Sequence, residues 1–108
     1  MNADEFGVVS TTLANREDAE RIAQSLLAEK LAACVQITGV DSRYVWKGDI
    51  VREPEFLLLI KTRAAQFENV IAHIKAQHPY EVPQILATPF TAGFVGYFDW
   101  LAENTRAP

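Results

Sequence analysis

The chain has 108 residues, of which 49% are hydrophobic and 22% are charged, and its formal net charge at pH 7 is −4. These values are typical of one globular domain that buries a core without disulfides or a structural metal ion. The acidic balance, with no cluster of Lys and Arg, excludes a basic nucleic-acid-binding surface, and no apolar run is long enough to span a membrane.

The N-terminal residues 1–5 are polar and acidic, which predicts a disordered tail before a single domain over residues 6–105. This segment lacks the basic start and apolar centre of a secretory signal peptide. The chain has one cysteine, Cys34, so an internal disulfide is impossible. We therefore expect a protein of the reducing cytoplasm.

The first third of the domain shows a strand pattern, a helix pattern and a second strand pattern. Residues 6–12 are rich in Phe, Val and Thr and predict the first strand. Asn15 is then placed to cap a helix with one apolar stripe, which ends near Glu29 and Lys30. Residues 32–46 predict the second strand, in which Gly39 suggests a bulge or a close approach of another backbone.

A long hairpin is predicted next. Lys47 to Asp49 form a tight turn, and residues 50–63 return as a strand in which Pro54 favours an edge or a bulge. An arm of about 14 residues spans roughly 45 Å, whereas a domain of this size is only about 30 Å across. We therefore expect the hairpin to pack on another copy of the chain. One face of its first strand is predicted to carry Ser42, Tyr44 and Trp46.

The second half predicts a helix over residues 64–77, a strand over 84–90 and a short helix over 97–103. His73 is predicted to lie at the rim of the first of these helices. The element order is β-α-β-β-α-β with an extra C-terminal helix. This order is typical of the α+β, ferredoxin-like class, in which two helices cover one face of an antiparallel sheet.

The segment from His78 to Pro83 has the highest density of chemically active side chains. Pro79 and Pro83 remove two backbone donors and stiffen the segment, so it is predicted to be a rigid loop. A rigid loop that carries an imidazole, a phenol and a carboxylate is a good platform for a site. The same residues also suffice to end one helix and begin the next strand, so both interpretations stay open.

Four sequence blocks occur in order and together resemble the CutA divalent-cation tolerance family. They are LAEKLAACV (27–35), YVWKG (44–48), LIKT (59–62) and HPYEVP (78–83). The likeness runs from about Val8 to Trp100. It implies a ferredoxin-like fold that assembles, like the PII signalling proteins, into a homotrimer through long hairpins. It also implies a link to copper and other divalent cations, and no enzymatic activity.

The resemblance also implies a metal site. Bacterial members have copper ligands at a Cys late in the first strand and at a His-His pair before Pro-Tyr. The matching positions here are Thr11 (or its neighbour Ser10), Gln77 and His78, so only His78 keeps a ligating side chain. A weak site for copper or another divalent cation is therefore expected. Its expected ligands are His78, Glu81 and Cys34.

Further residues typical of the family are implied to line a cleft between subunits, namely Trp46, Lys61, Tyr80 and Glu81. An alternative function is a PII-like trimeric regulator that binds a small anionic ligand in this cleft, with Lys61 and Arg63 as cations. Cys34 has a second interpretation as a small buried hydrophobic residue. An enzyme ranks last, because trimeric tautomerases need an N-terminal proline and this chain begins with Met1.

Overall fold

A four-stranded antiparallel sheet organises the fold in this computed structural model, which describes residues 1–107. The strands are β1 (Phe6–Leu13), β2 (Cys34–Trp46), β3 (Asp49–Arg63) and β4 (Ile85–Pro89), in the spatial order β2-β3-β1-β4. The helices are α1 (Arg16–Ala28), α2 (Phe67–Gln77) and α3 (Val95–Glu103). The element order confirms the predicted ferredoxin-like α+β class with an extra C-terminal helix.

The N-terminal segment, which its composition predicts to be a disordered tail, contains a short turn of helix. Ala3–Glu5 form one turn of 3-10 helix. The backbone N–H of Asn2 donates to the Glu5 carboxylate at 2.6 Å, and Ala3 packs against the cluster around Phe6. A polar composition did not reveal this local hydrogen bond or the apolar contact that accompanies it.

The helix α1 begins and ends as its sequence predicts. The Asn15 side chain accepts a hydrogen bond from the Asp18 N–H at 2.9 Å, which caps the first turn. At the other end, Lys30 has a φ of +55°, and the Leu31 N–H donates to the Leu26 carbonyl. This left-handed residue closes the helix in the manner of a Schellman motif.

Two apolar clusters stabilise the domain. The larger one joins α1 and α2 to one face of the sheet, and its fully buried members include Val9, Ile22, Leu58 and Ile74. The smaller one holds α3 against the start of β1, where the rings of Phe6 and Phe98 stack at 5.2 Å. No helix within residues 1–107 has both the length and the apolar character needed to cross a membrane.

The hairpin of β2 and β3 pairs without interruption from Cys34 opposite Lys61 to Trp46 opposite Asp49. The predicted bulge at Gly39 is wrong, since this residue pairs in register with Phe56. Lys47 and Gly48 both have positive φ, as a two-residue hairpin turn requires. Pro54 lies where β3 has extended beyond β1, which is the edge position predicted. The molecule measures 45 × 26 × 21 Å, an elongated shape.

Within residues 1–107, no helix packs across the centre of the second face of the sheet. Cross-strand partners point to the same face of a sheet, so Leu86, Ser10 and Leu59 form one row of it. Val8 and Leu57 belong to the neighbouring rows. We call this surface the open face; its residues are Val8, Ser10, Leu57, Leu59 and Leu86.

Candidate functional site

A cavity of about 620 Å³ lies beside the outer half of the long hairpin, where β2 and β3 extend beyond β1. Its walls come from the end of β1, from β2 and β3, and from the loop between α2 and β4. The volume is in the range of pockets that bind small molecules. The side chains that dominate its chemistry are Tyr44, Trp46, Glu53, Glu55, Tyr80 and Glu81.

His78 anchors the loop that forms one wall, and both of its ring nitrogens are engaged. The Nε2 atom lies 2.8 Å from the Thr12 carbonyl oxygen, and the Tyr80 backbone N–H donates to Nδ1 at 3.1 Å. A carbonyl oxygen only accepts and a backbone N–H only donates, so His78 is the neutral tautomer with its proton on Nε2. The side chain is 8% exposed. Neither nitrogen therefore presents a free lone pair to a metal ion.

The surroundings of His78 also disfavour the protonated, positively charged form of its imidazole. Burial lowers the pKa of this imidazole below its ordinary value. The bond to Thr12 and the carboxylates of Glu55 and Asp18 act in the opposite direction, while Lys75 adds to the lowering. Burial prevails, which agrees with the neutral tautomer that the hydrogen bonds require.

The half-buried Tyr80 and the buried Glu55 form a hydrogen-bonded pair in the cavity wall. The Tyr80 hydroxyl donates to Glu55 Oε2 at 2.6 Å, and the Tyr80 ring packs against His78 with centroids 4.7 Å apart. Glu55 is only 5% exposed. Burial, reinforced by the bond to Glu55, raises the pKa of the Tyr80 hydroxyl, so this phenol stays a donor.

A second tyrosine and carboxylate pair stands nearer the hairpin tip. The Tyr44 hydroxyl donates to Glu53 Oε1 at 2.6 Å, and this hydrogen bond raises the pKa of Tyr44 to about 12. Glu53 and Glu55 are two residues apart on β3, so they share one face of the strand. Sequence reasoning missed both carboxylates. Their spacing of two residues on a predicted strand could have revealed them. In the hairpin they share the sheet face that was predicted to carry Ser42, Tyr44 and Trp46.

The residues predicted to line a cleft are brought together only in part. Trp46, Tyr80 and Glu81 line the cavity, but Lys61 does not. Lys61 is opposite Cys34 in the hairpin and donates to Gln36 Oε1 at 2.5 Å. It is six residues from Glu55, or roughly 20 Å along the strand. Three members of the predicted set thus share one site within a single chain.

The second predicted cation of an anion site is also occupied elsewhere. The Arg63 guanidinium donates to Thr105 Oγ1 at 2.9 Å and to the Ala102 carbonyl at 2.6 Å. These bonds hold the C-terminal segment against β3. With both predicted cations outside a cavity whose walls carry three carboxylates, an anionic ligand has little support there.

The three predicted metal ligands do not converge. Cys34 lies at the level of Val8 in the sheet, whereas His78 bonds to Thr12, which is four residues or about 13 Å further along β1. Within residues 1–107, no three His, Cys, Asp or Glu side chains are arranged to hold a metal ion. The expected site of His78, Glu81 and Cys34 therefore does not fit a metal in one chain.

The other two positions that the sequence resemblance matched to copper ligands are buried or hydrogen-bonded within the chain. Thr11 is fully buried, and its hydroxyl has no hydrogen-bond partner among the described residues. Gln77 binds Arg21, Ser25 and His73 in a network that links α1 to α2. The predicted rim location of His73 is consistent with its half-buried place in this network. Neither position offers an accessible metal ligand.

Known proteins of similar sequence and structure support the fold described above. Residues 7–104 match the family model described as CutA1 divalent ion tolerance protein. The chain is 44% identical to the chloroplastic protein CutA of Arabidopsis thaliana over 100 residues, which are 92% of this chain and 55% of the plant protein. It is 46% identical to the divalent-cation tolerance protein CutA of Thermus thermophilus over 99 residues, with 91% and 96% covered.

The chain therefore spans about half the length of the plant relative and almost the whole of the bacterial one. Its fold is similar to the solved structure of the periplasmic divalent cation tolerance protein CutA from Archaeoglobus fulgidus. That match has a TM-score of 0.89 at 39% identity and covers 92% of this chain and 97% of the other.

Proposed function

Because this chain belongs to the family of CutA1 divalent ion tolerance proteins, we propose that it acts as a homotrimer in tolerance to divalent cations. We further propose that it does so without enzymatic activity and without a tight metal site of its own. The names of the bacterial and archaeal relatives mention divalent-cation tolerance and no reaction. The arrangement of His78, with both ring nitrogens engaged, carries the metal part of this proposal.

Assembly is supported by apolar surface that a single chain leaves uncovered. On the open face, the Leu86 side chain is 59% exposed. At the hairpin tip, Val45 and Ile50 are opposite each other and are 70% and 82% exposed. Apolar surfaces of this kind mark interaction sites. An obligate interface formed by them would bury more than about 2,000 Å² in total.

Light scattering at micromolar concentration is expected to give the mass of a trimer. Ile50→Asp should weaken assembly by about tenfold or more, because burying the new carboxylate in an apolar contact is unfavourable. Ala72→Asp places the same charge on an exposed position of α2 and serves as the matched control, with no change in mass expected. A monomeric wild-type protein would contradict the assembly that we propose.

Copper binding is expected to be weak. Calorimetry with Cu²⁺ near pH 7 should give no site tighter than about the micromolar range, since a metal at His78 must first displace the Tyr80 N–H. Cys34→Ser and His78→Ala test the two separate donors. Tight copper binding that only His78→Ala abolishes would restore the metal site predicted from the resemblance.

A cytoplasmic location is part of the proposal. It is supported by the single cysteine, which fits a reducing compartment. The relatives do not share one compartment, because one is named chloroplastic and another periplasmic. Fluorescence microscopy of the tagged full-length protein in its source cells would test it.

A further inference from the structure

We propose that the cavity beside the outer half of the hairpin binds a small organic cation, an ammonium group carried on an apolar body. This inference goes beyond tolerance to metal ions. It rests on the charge, the walls and the size of the cavity, all of which are present in one chain.

The charge of the cavity is negative and uncompensated. Glu53, Glu55 and Glu81 line it, and none of them forms an ion pair within residues 1–107. The one cationic side chain in the lining, Arg43, is paired with Asp41 at 3.3 Å. A cation inside the cavity would therefore meet acceptors that have no other counter-charge.

Glu55 is the strongest indication of a ligand. Its side chain is 5% exposed, and its only hydrogen bond is the one that Oε2 accepts from Tyr80. The other oxygen, Oε1, has no hydrogen-bond partner within residues 1–107, but it is not fully enclosed, since Thr11 Oγ1 is the one fully buried side-chain atom there without a partner. Buried carboxylates are normally paired or bound to a cation, because removing an unpaired charge from water is unfavourable. The missing partner of Glu55 is expected on the cavity side.

The walls favour an organic cation over a metal ion. Tyr44 and Tyr80 present aromatic rings, and such rings attract ammonium groups through their electron-rich faces. The Trp46 ring shows the same preference within the chain, since Lys47 Nζ lies 5.8 Å from its centroid. Each tyrosine hydroxyl also occupies one oxygen of its glutamate partner, and no three-ligand metal cluster exists in the described residues. A volume of about 620 Å³ is also much larger than a desolvated ion needs.

The test uses three probes of similar shape and different charge. Phenethylammonium chloride is the cation, 2-phenylethanol is its neutral analogue and phenylacetate is the anion. Calorimetry on the assembled wild-type protein is expected to show binding of the cation alone. Equal binding of the neutral alcohol would overturn the proposal, since it would mean that the cavity selects only for apolar character. Binding of the anion would overturn it too.

Glu55→Gln is expected to weaken binding of the cation by at least about tenfold. The glutamine keeps an oxygen that can accept from Tyr80, and circular dichroism checks that the variant folds. Glu103→Gln removes a carboxylate from the exposed end of α3 and is the matched control, with unchanged affinity expected. If both variants lose the same affinity for the cation, the loss reflects only the net charge of the protein, and the proposed site is wrong.

The alternative partner of Glu55 is a basic side chain from another copy of the chain, which would bring a positive charge into the cavity in place of a ligand. In that case the assembled protein binds no probe, whereas the dissociated Ile50→Asp variant binds the cation, and Glu55→Gln shifts the assembly equilibrium. This result would overturn the cavity as a ligand site. Light scattering on the same samples reports assembly independently, so failure of ligand binding and failure of the proposed trimer are distinguishable.

Discussion

His78→Ala is expected to lower the free energy of unfolding by about 3 kcal/mol, although the residue belongs to a loop. The substitution leaves the buried Thr12 carbonyl without its donor and the Tyr80 N–H without its acceptor. It also leaves a void beneath the Tyr80 ring. Urea denaturation at a fixed protein concentration measures the change, because assembly makes stability depend on concentration.

His73→Ala is the matched control for this prediction. His73 is half-buried on α2 and bonds only to Ser25 and Gln77 side chains, so its loss is expected to cost about 1 kcal/mol or less. If both variants lose the same stability, His78 is not the anchor that its hydrogen bonds indicate.

The stability difference between wild type and His78→Ala is expected to narrow as the pH falls below about 6.5. Burial lowers the pKa of His78 in the folded protein, so the unfolded chain takes up a proton that the folded chain resists. Stability therefore rises with pH in this window and falls as the pH decreases from about 6.5 toward the folded pKa. The alanine variant has no imidazole at position 78, so its stability lacks this dependence on pH. A difference that widens in acid would contradict the neutral, buried imidazole.

Gly7→Ala is also expected to lower the free energy of unfolding by about 3 kcal/mol, at the upper end of the usual cost of overpacking. A Cβ at this position would lie 2.9 Å from the Pro89 Cα, closer still to the Thr88 carbonyl oxygen, and against the Phe67 ring. Two of these neighbours are backbone atoms of β4, so the strand itself must move away from β1. Thermal and urea unfolding measure the loss.

Gly39→Ala provides the control for the same substitution in another strand. A Cβ at this position would have no atom of the described residues within 4 Å, apart from Gly39 itself and its two chain neighbours. Since glycine within a strand is less favourable than alanine by about 0.5–1 kcal/mol, this variant is expected to be unchanged or slightly more stable. Similar destabilisation of both variants would show that strand glycines matter here for a reason other than steric contact with β4.

Local sequence patterns were sufficient for the order of elements and for most of their boundaries. The cap at Asn15, the turn at Lys47 and Gly48 and the break at Pro79 depend on residues near in sequence, and each was predicted. The four blocks that resemble the CutA family were confirmed by the family match over residues 7–104. The predicted bulge at Gly39 failed because the continuous pairing of its neighbours overrides the preference of one residue.

Contacts between residues distant in sequence decided the chemistry of the site. The pattern placed His78 on a rigid loop, but only the fold shows that Thr12 and Tyr80 occupy both of its nitrogens. Likewise, pairing of β2 with β3 places Lys61 opposite Cys34. The reason is physical: strand and helix periodicity is a local property, whereas burial and hydrogen-bond partners depend on which surfaces meet when the chain folds.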